Sequence, residues 1–171
     1  NGDILAMVGS RAYTEPVSGN VNHTLALRQP GSSIYGVTYS AALGHGFTAA
    51  TILDDSPITY TAPLSPPYSP VNYDGRFHGR VALRLALGNS FNVPAVRTLN
   101  QIGIPTFVEL GKKMGIESWG DPKDYGLSVT LGSAEVPMVE MATVYGVLAN
   151  NGKRVDLNPI LKITDYKGTI I

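Results

Sequence analysis

Gln29-Pro30-Gly31-Ser32-Ser33-Ile34-Tyr35-Gly36-Val37-Thr38-Tyr39-Ser40-Ala41-Ala42-Leu43 is the stretch on which the reading of the fold turns. Pro30-Gly31 is a turn signal. Ser32 and Ser33 are residues of the N-cap type, and Ile34 to Leu43 reads as a helix closed by Gly44 and Gly46. A serine hydroxyl at a helix start sits where unpaired N–H groups and the macrodipole favour negative charge. That suits a nucleophilic alkoxide and the oxyanion that follows its attack. Serine is equally a preferred cap, so the placement alone does not separate a nucleophile from a cap.

Upstream, residues 10–30 form a polar connection with Pro16 and Gly19, and Ile4 to Val8 is a short apolar run that reads as a buried strand ended by Gly9. The chain thus opens inside a strand, where a natural start is not expected. Downstream, residues 54–75 carry Pro57, Pro63, Pro66, Pro67 and Pro70 and end at Asp74-Gly75, a long loop of the kind that is often functional. A helical pattern is expected from Arg80 to Leu87, pausing at Gly88-Asn89-Ser90. It resumes from Val93 to Ile102, with Pro94 in the first turn and Gly103 at the exit. A further helix covers Pro105 to Met114, and Leu127 to Leu131 is a short strand or loop. A last helix runs from Val136 to Leu148 behind a Ser133 cap. Ile160–Thr164 and Thr169–Ile171 read as a β-hairpin around Asp165-Tyr166-Lys167-Gly168. Helices and strands do not alternate, so the fold class is α+β, an antiparallel sheet with a helical cluster.

Composition removes several functions. Of 171 residues 43% are apolar and 15% charged, so the chain is globular, and 13 basic residues balance 13 acidic ones. Without a basic excess, neither nucleic acid nor an anionic membrane surface is an expected partner. No cysteine is present, which excludes thiolate metal sites and a cysteine nucleophile. His23, His45 and His78 are dispersed without ligand spacing, so no metal is expected. No apolar run is long enough for a membrane span. Asp54, Asp55 and Asp74 sit in loop-like sequence, where turn and capping roles are expected. Trp119 is a surface aromatic or a core filler, and Tyr60, Tyr68 and Tyr73 flank the proline-rich loop.

A second chemical feature is Ser90-Phe91-Asn92, between two helical segments. A hydroxyl and an amide two residues apart can face one cleft, the first relaying a proton and the second binding a substrate amide. Such a pair is also a common helix cap.

Together these segments resemble the transpeptidase domain of class A (bifunctional) penicillin-binding proteins. Gln29 to Ile34 with Tyr39 to Leu43 is similar to that family's nucleophile segment, and Gly2 to Gly9 to the strand before it. Ala86-Leu87-Gly88-Asn89-Ser90-Phe91-Asn92-Val93-Pro94-Ala95-Val96 is similar to its Ser-x-Asn segment. Glu140-Met141-Ala142 through Tyr145 to Gly152 and the hairpin beyond also match, in the family's order and spacing. The resemblance implies a serine acyl-enzyme site on a penicillin-binding fold, without metal or cofactor. Ser32 would attack the D-Ala-D-Ala bond of a peptidoglycan stem peptide, or a β-lactam ring. Ser90 would relay a proton to the leaving amine, and Asn92 would bind the substrate amide. The setting would be the extracytoplasmic face of a bacterial membrane. Residues 1–171 would be one incomplete transpeptidase domain, separated from a glycosyltransferase domain and a membrane anchor.

Two departures stand out. The family motif is Ser-x-x-Lys, which puts an amine one helical turn from the hydroxyl. Here Tyr35-Gly36 stands where Lys-Pro is expected, and a phenol with an ordinary pKa of about 10 is a poor base at neutral pH. The family's Lys-Thr-Gly strand is also absent, because Lys167-Gly168-Thr169 is a reordered turn that comes too early. The C-terminal strands are therefore expected to be missing, which would leave a sheet edge for those strands or another chain. Impaired catalysis follows as an expectation. A non-catalytic relative that binds peptidoglycan or a partner, and a D,D-carboxypeptidase or β-lactamase-like hydrolase, remain as alternatives.

Overall fold

Apolar residues spaced three and four apart build the helices of the computed structural model, which describes residues 1–63 and 66–171. In α3 (Asn92–Ile102), Val93, Val96, Leu99 and Ile102 are all buried, and Pro94 lies in the first turn, where its missing N–H is harmless. Gly103, with φ 85°, ends that helix and opens α4 (Ile104–Met114), which Gly115 closes at φ 115°. Only glycine takes such backbone angles without a Cβ penalty. Two further helices complete the cluster, α1 (Tyr35–Gly44) and α5 (Met138–Ala149), along with the six-residue α2 (Leu83–Gly88). α3 lies at the centre, packed by α1, α4 and β2 (Ile52–Asp55). None of the described helices is long and apolar enough to cross a membrane.

Among the described residues the strands form two separate antiparallel pairs. β2 pairs with β3 (Gly79–Ala82), Ile52 facing Ala82 and Asp55 facing Gly79. β1 (Leu27–Arg28) pairs with β4 (Val136–Pro137) in the register Leu27 to Pro137 and Arg28 to Val136. The class is α+β, as expected from the sequence, with little sheet.

Several expectations need correction. Arg80 to Ala82 is strand, because pairing with β2 takes up its backbone, and the helix begins only at Leu83, whose N–H donates to Thr51 O at 2.8 Å. Ile4 to Val8 is not a buried strand. Leu5 and Val8 are 94% and 78% exposed, and the nearest pairing is a single bridge from Asp3 to Asn158. A strand needs a partner along its length, and this one has none among the described residues. Val136 and Pro137 belong to β4, so α5 starts at Met138 with Pro137 at its N-cap, and the Ser133 hydroxyl pairs with Ser128 at 3.0 Å instead of capping a helix. Leu127–Leu131 is a 3₁₀ turn, neither strand nor loop. The hairpin of residues 160–171 is present only in short form, with Asp165 N donating to Thr169 O at 2.9 Å and Ile171 N to Ile163 O at 3.1 Å. Asp165 Oδ1 accepts the Lys167 and Thr169 N–H groups at 2.8 and 2.9 Å, and one bridge joins Thr164 to Ile170. Its would-be strands lack a packed face, with Ile163 and Ile170 exposed.

Trp119 proves to be core, 4% exposed and set against Phe107 with ring centroids 5.0 Å apart. Tyr60 and Tyr68 close the base of the proline-rich loop by pairing their backbones at 2.8 Å in both directions, whereas Tyr73 is fully exposed.

Candidate active site

Ser32 and Ser33 lie in a 3₁₀ turn, Gly31–Ile34, that runs directly into α1. Neither caps the helix with its side chain. The turn satisfies the first helical N–H groups itself, Tyr35 N donating to Ser32 O. Gly31 takes φ 56°, and its backbone is approached so closely by Gly132 that a Cβ there would lie 2.2 Å from Gly31 N. The turn is therefore seated on residues 127–132. A buried hydrogen bond of 2.8 Å between the Thr38 and Thr130 hydroxyls reinforces that seat one turn further along α1.

The two serines part company here. The Ser33 hydroxyl donates to Pro30 O at 2.6 Å, and Ser33 O accepts the Tyr145 phenol at 2.8 Å, so Ser33 is spent on holding the turn. Ser32 is exposed, and its hydroxyl lies against the Tyr35 phenol.

Tyr35 is 1% exposed, and its hydroxyl donates to Asn92 Oδ1 at 2.6 Å. Burial pushes this phenol up to about 12, a hydrogen bond with Ser32 opposes that push, and Tyr68 adds to it. At neutral pH Tyr35 is uncharged, and its one proton is committed to Asn92. Only lone pairs on a neutral phenol oxygen face Ser32, and these accept a hydrogen bond without removing a proton. Tyr39, one turn on, is buried with no partner for its hydroxyl, and burial with Tyr35 and Asp55 nearby raises its pKa too.

Asn92 opens α3. Its Nδ2 donates to Val71 O at 2.8 Å, and its backbone N–H to Asn72 Oδ1 at 2.8 Å. An amide has two N–H donors and two acceptor lone pairs, so one of each remains for a ligand. Ser90, two residues earlier, is exposed and holds φ 57°, an uncommon conformation for a residue other than glycine. Its hydroxyl makes no hydrogen bond with Ser32, Tyr35 or Asn92. The structure thus joins Tyr35 and Asn92 directly, with Ser32 one turn before Tyr35, while Ser90 stands two residues before Asn92 in the chain.

Position 36 has room for a side chain. Gly36 lies in the first turn of α1, and a Cβ on it meets only Leu148 Cδ1 at 3.4 Å and the Tyr145 phenol beyond.

Asp55, Asn72 and His78 form a group that sequence reasoning did not single out. Asp55 was expected in a turn or cap but lies at the end of β2 with no exposure, accepting from Asn72 and His78. Asp74 does take the turn role, accepting Arg76 N at 3.1 Å. The letters Pro70-Val71-Asn72-Tyr73-Asp74-Gly75 read as turn chemistry, which hid the buried amide among them.

Comparison with known proteins identifies the family. The family described as the penicillin binding protein transpeptidase domain matches residues 1–169. Penicillin-binding protein 1A of Rickettsia felis is 36% identical over 171 residues, covering 99% of this chain and 21% of that protein. Its namesake in Aquifex aeolicus is 37% identical over 172 residues, covering 99% and 23%. The chain therefore spans less than a quarter of the length of these relatives. Among solved structures, penicillin-binding protein 1A from Haemophilus influenzae superposes with a TM-score of 0.84 at 32% identity, over 96% of this chain and 24% of that one. PonA1 of Mycobacterium tuberculosis, solved with penicillin V, superposes at 0.78 over 88% of this chain and 42% of its own, and at 21% identity it speaks for the fold alone. On a match that runs from the first residue almost to the last, the chain belongs to the penicillin-binding protein transpeptidase domain family.

Proposed function

We propose that Ser32 is the acylated serine of a peptidoglycan D,D-transpeptidase site acting outside the cytoplasm, and that Tyr35 leaves this site slow. The carrying observation is the neutral Tyr35 phenol, bound to Asn92 at 2.6 Å and lying against Ser32. In the reaction, Ser32 Oγ bonds to the carbonyl carbon of a D-Ala-D-Ala peptide or β-lactam. The C–N bond then breaks, and the serine proton is delivered to the departing nitrogen. Ser90 is the group proposed to pass on that proton, and Asn92 uses its remaining donor and lone pair on the substrate amide. The proton must first leave Ser32, and Tyr35 offers no site for it. Loss of a positioned base lowers rates by about 10²- to 10⁴-fold.

A second reading, binding of stem peptide or β-lactam without turnover, is favoured by the same Tyr35–Asn92 bond, which leaves Asn92 able to hold an amide. One experiment separates the two. Intact mass is followed during incubation with a fluorescent penicillin, for this chain and for a version extended through a Lys-Thr-Gly strand and carrying Tyr35→Lys with Gly36→Pro. Labelling at Ser32 in the altered version, and little in the parent, is the expected result. Rapid stoichiometric labelling of the parent would remove the impairment. Absence of labelling in both would leave the binding reading.

A further inference from the structure

The Ser90-Phe91-Asn92 connection is held from outside by residues that belong to neither of the two serine segments. Asn72 is 3% exposed and uses both ends of its side chain. Its Oδ1 accepts the backbone N–H groups of Asn92 at 2.8 Å and Val93 at 3.2 Å, the first two residues of α3. Those donors would otherwise be orphaned, since Phe91 at the N-cap has nothing to offer them. The Asn72 Nδ2 donates to both oxygens of Asp55 and to Arg76 O, each at 2.8 Å.

Asp55 anchors a second arm. Its Oδ2 accepts from His78 N at 2.9 Å and contacts His78 Nδ1 at 2.7 Å, while His78 Nε2 lies 3.2 Å from Asp74. With its ring fixed at both nitrogens, His78 stacks on Phe91, centroids 4.0 Å apart and planes 12° from parallel. One fully buried carboxylate on β2 therefore fixes the connection at two points, Phe91 through His78 and the Asn92 backbone through Asn72. Ser90 holds a positive φ between α2 and that clamp. Such a conformation persists when its surroundings over-determine it.

We propose that Asp55, Asn72 and His78 are positioning residues that set the Ser90-Phe91-Asn92 connection and so aim the Asn92 amide at the Ser32 and Tyr35 hydroxyls. They touch no reacting atom and act through Asn92. As a role in chemistry this rests on the reading of Asn92 as substrate-facing; as a clamp on the start of α3 it does not.

The test begins with native-state hydrogen exchange on this chain. Asn72→Ala should speed exchange of the Asn92 and Val93 amides about tenfold while the α4 amides keep their rates, because a lost acceptor opens the first turn locally. Asn72→Asp should do the same, since it sets a second carboxylate against Asp55 with no donor between them. Combining Asn72→Asp with Asp55→Asn restores one donor and one acceptor at unchanged charge and should return the rates to within about threefold of the parent. Unchanged Asn92 and Val93 exchange in Asn72→Ala, or a double variant no slower than Asn72→Asp alone, would overturn the clamp. Should Asn72→Ala fail to fold, the comparison of Asn72→Asp with the double variant decides. The chemical arm uses the extended Tyr35→Lys, Gly36→Pro version and penicillin. There Asn72→Ala should lower the acylation rate constant about tenfold with little change in penicillin affinity, as expected when a group is misaimed and not removed. An equal loss in both would overturn the positioning role. A parent version that does not label at all defeats the proposed function, while the exchange result still decides the clamp.

Discussion

On the proposed reading, a single side chain, Tyr35, governs what Ser32 can do. Its phenol is a neutral donor that occupies one acceptor site of Asn92. Its raised pKa has a consequence for stability. A phenol whose folded pKa lies above its unfolded value favours the folded state as long as it stays protonated. That contribution is complete below about pH 10 and is lost as pH climbs from about 10 towards about 12. Across two pH units this amounts to about 2–3 kcal/mol for one group. Urea unfolding at pH 8, 10 and 11.5 should show the decline, and Tyr35→Phe should make it shallower, the raised Tyr39 phenol supplying the remainder. A Tyr35→Phe curve parallel to the parent would place the loss elsewhere.

Between elements, the serine turn depends on two contacts with the segment before β4. The contact between Gly31 and Gly132 leaves no room for a side chain on Gly132, whereas a Cβ on Gly31 would meet open space. Gly132→Ala should therefore displace the turn and lower stability by at least about 2 kcal/mol, against about 1 kcal/mol for Gly31→Ala, whose penalty is conformational. Equal losses by thermal unfolding would mean that the two segments are less tightly docked. The second contact is the buried Thr38–Thr130 pair. Thr38→Val alone strands a buried hydroxyl at a cost of about 1–3 kcal/mol, while Thr38→Val with Thr130→Val should recover most of it. A double variant as unstable as the single would contradict that account.

The same scale shows what the sequence could reveal. Helices α3 and α4 are legible because their apolar spacing, Pro94, Gly103 and Gly115 all agree. The start of β3 is not, because Arg80-Val81-Ala82 carries no period that separates strand from helix, and only β2 decides it. Val136-Pro137 is misread for the same reason, since its partner β1 lies far away in the chain. Among the candidate site residues, Ser32, Ser90, Asn92 and Tyr35 are visible as local letters. Asp55, Asn72 and Tyr145 are not, because their roles exist only once distant backbone is brought beside them.

For the molecule as a whole, apolar surface is unevenly covered. Leu5, Val8, Leu161, Ile170 and Ile171 are at least 70% exposed, and Met138 on α5 is 60% exposed. A cleft of about 400 Å³ runs between Ile4 to Met7, Thr24 and α5, lined by Met138, Ala142 and Leu157. Exposed apolar surface beside unpaired backbone invites another strand or chain. The chain should therefore self-associate at tens of micromolar and bind an apolar dye, by sedimentation velocity and fluorescence. A monodisperse monomer that leaves the dye dark would show that this surface is already self-contained.

The contacts around the serine turn also set an order of events during synthesis. Thr38 to Thr130 spans 92 residues and Ser33 to Tyr145 spans 112. β1, just before the turn, pairs with β4, just before α5. None of these partners has been made when Ser32 itself is made. At about 5–20 residues per second, Ser32 emerges several seconds before anything that can seat it. The surroundings of Ser32 close only after loops of that length have been bridged, so they belong to the slow part of folding. Ser32 leaves the ribosome well before the residues that seat it.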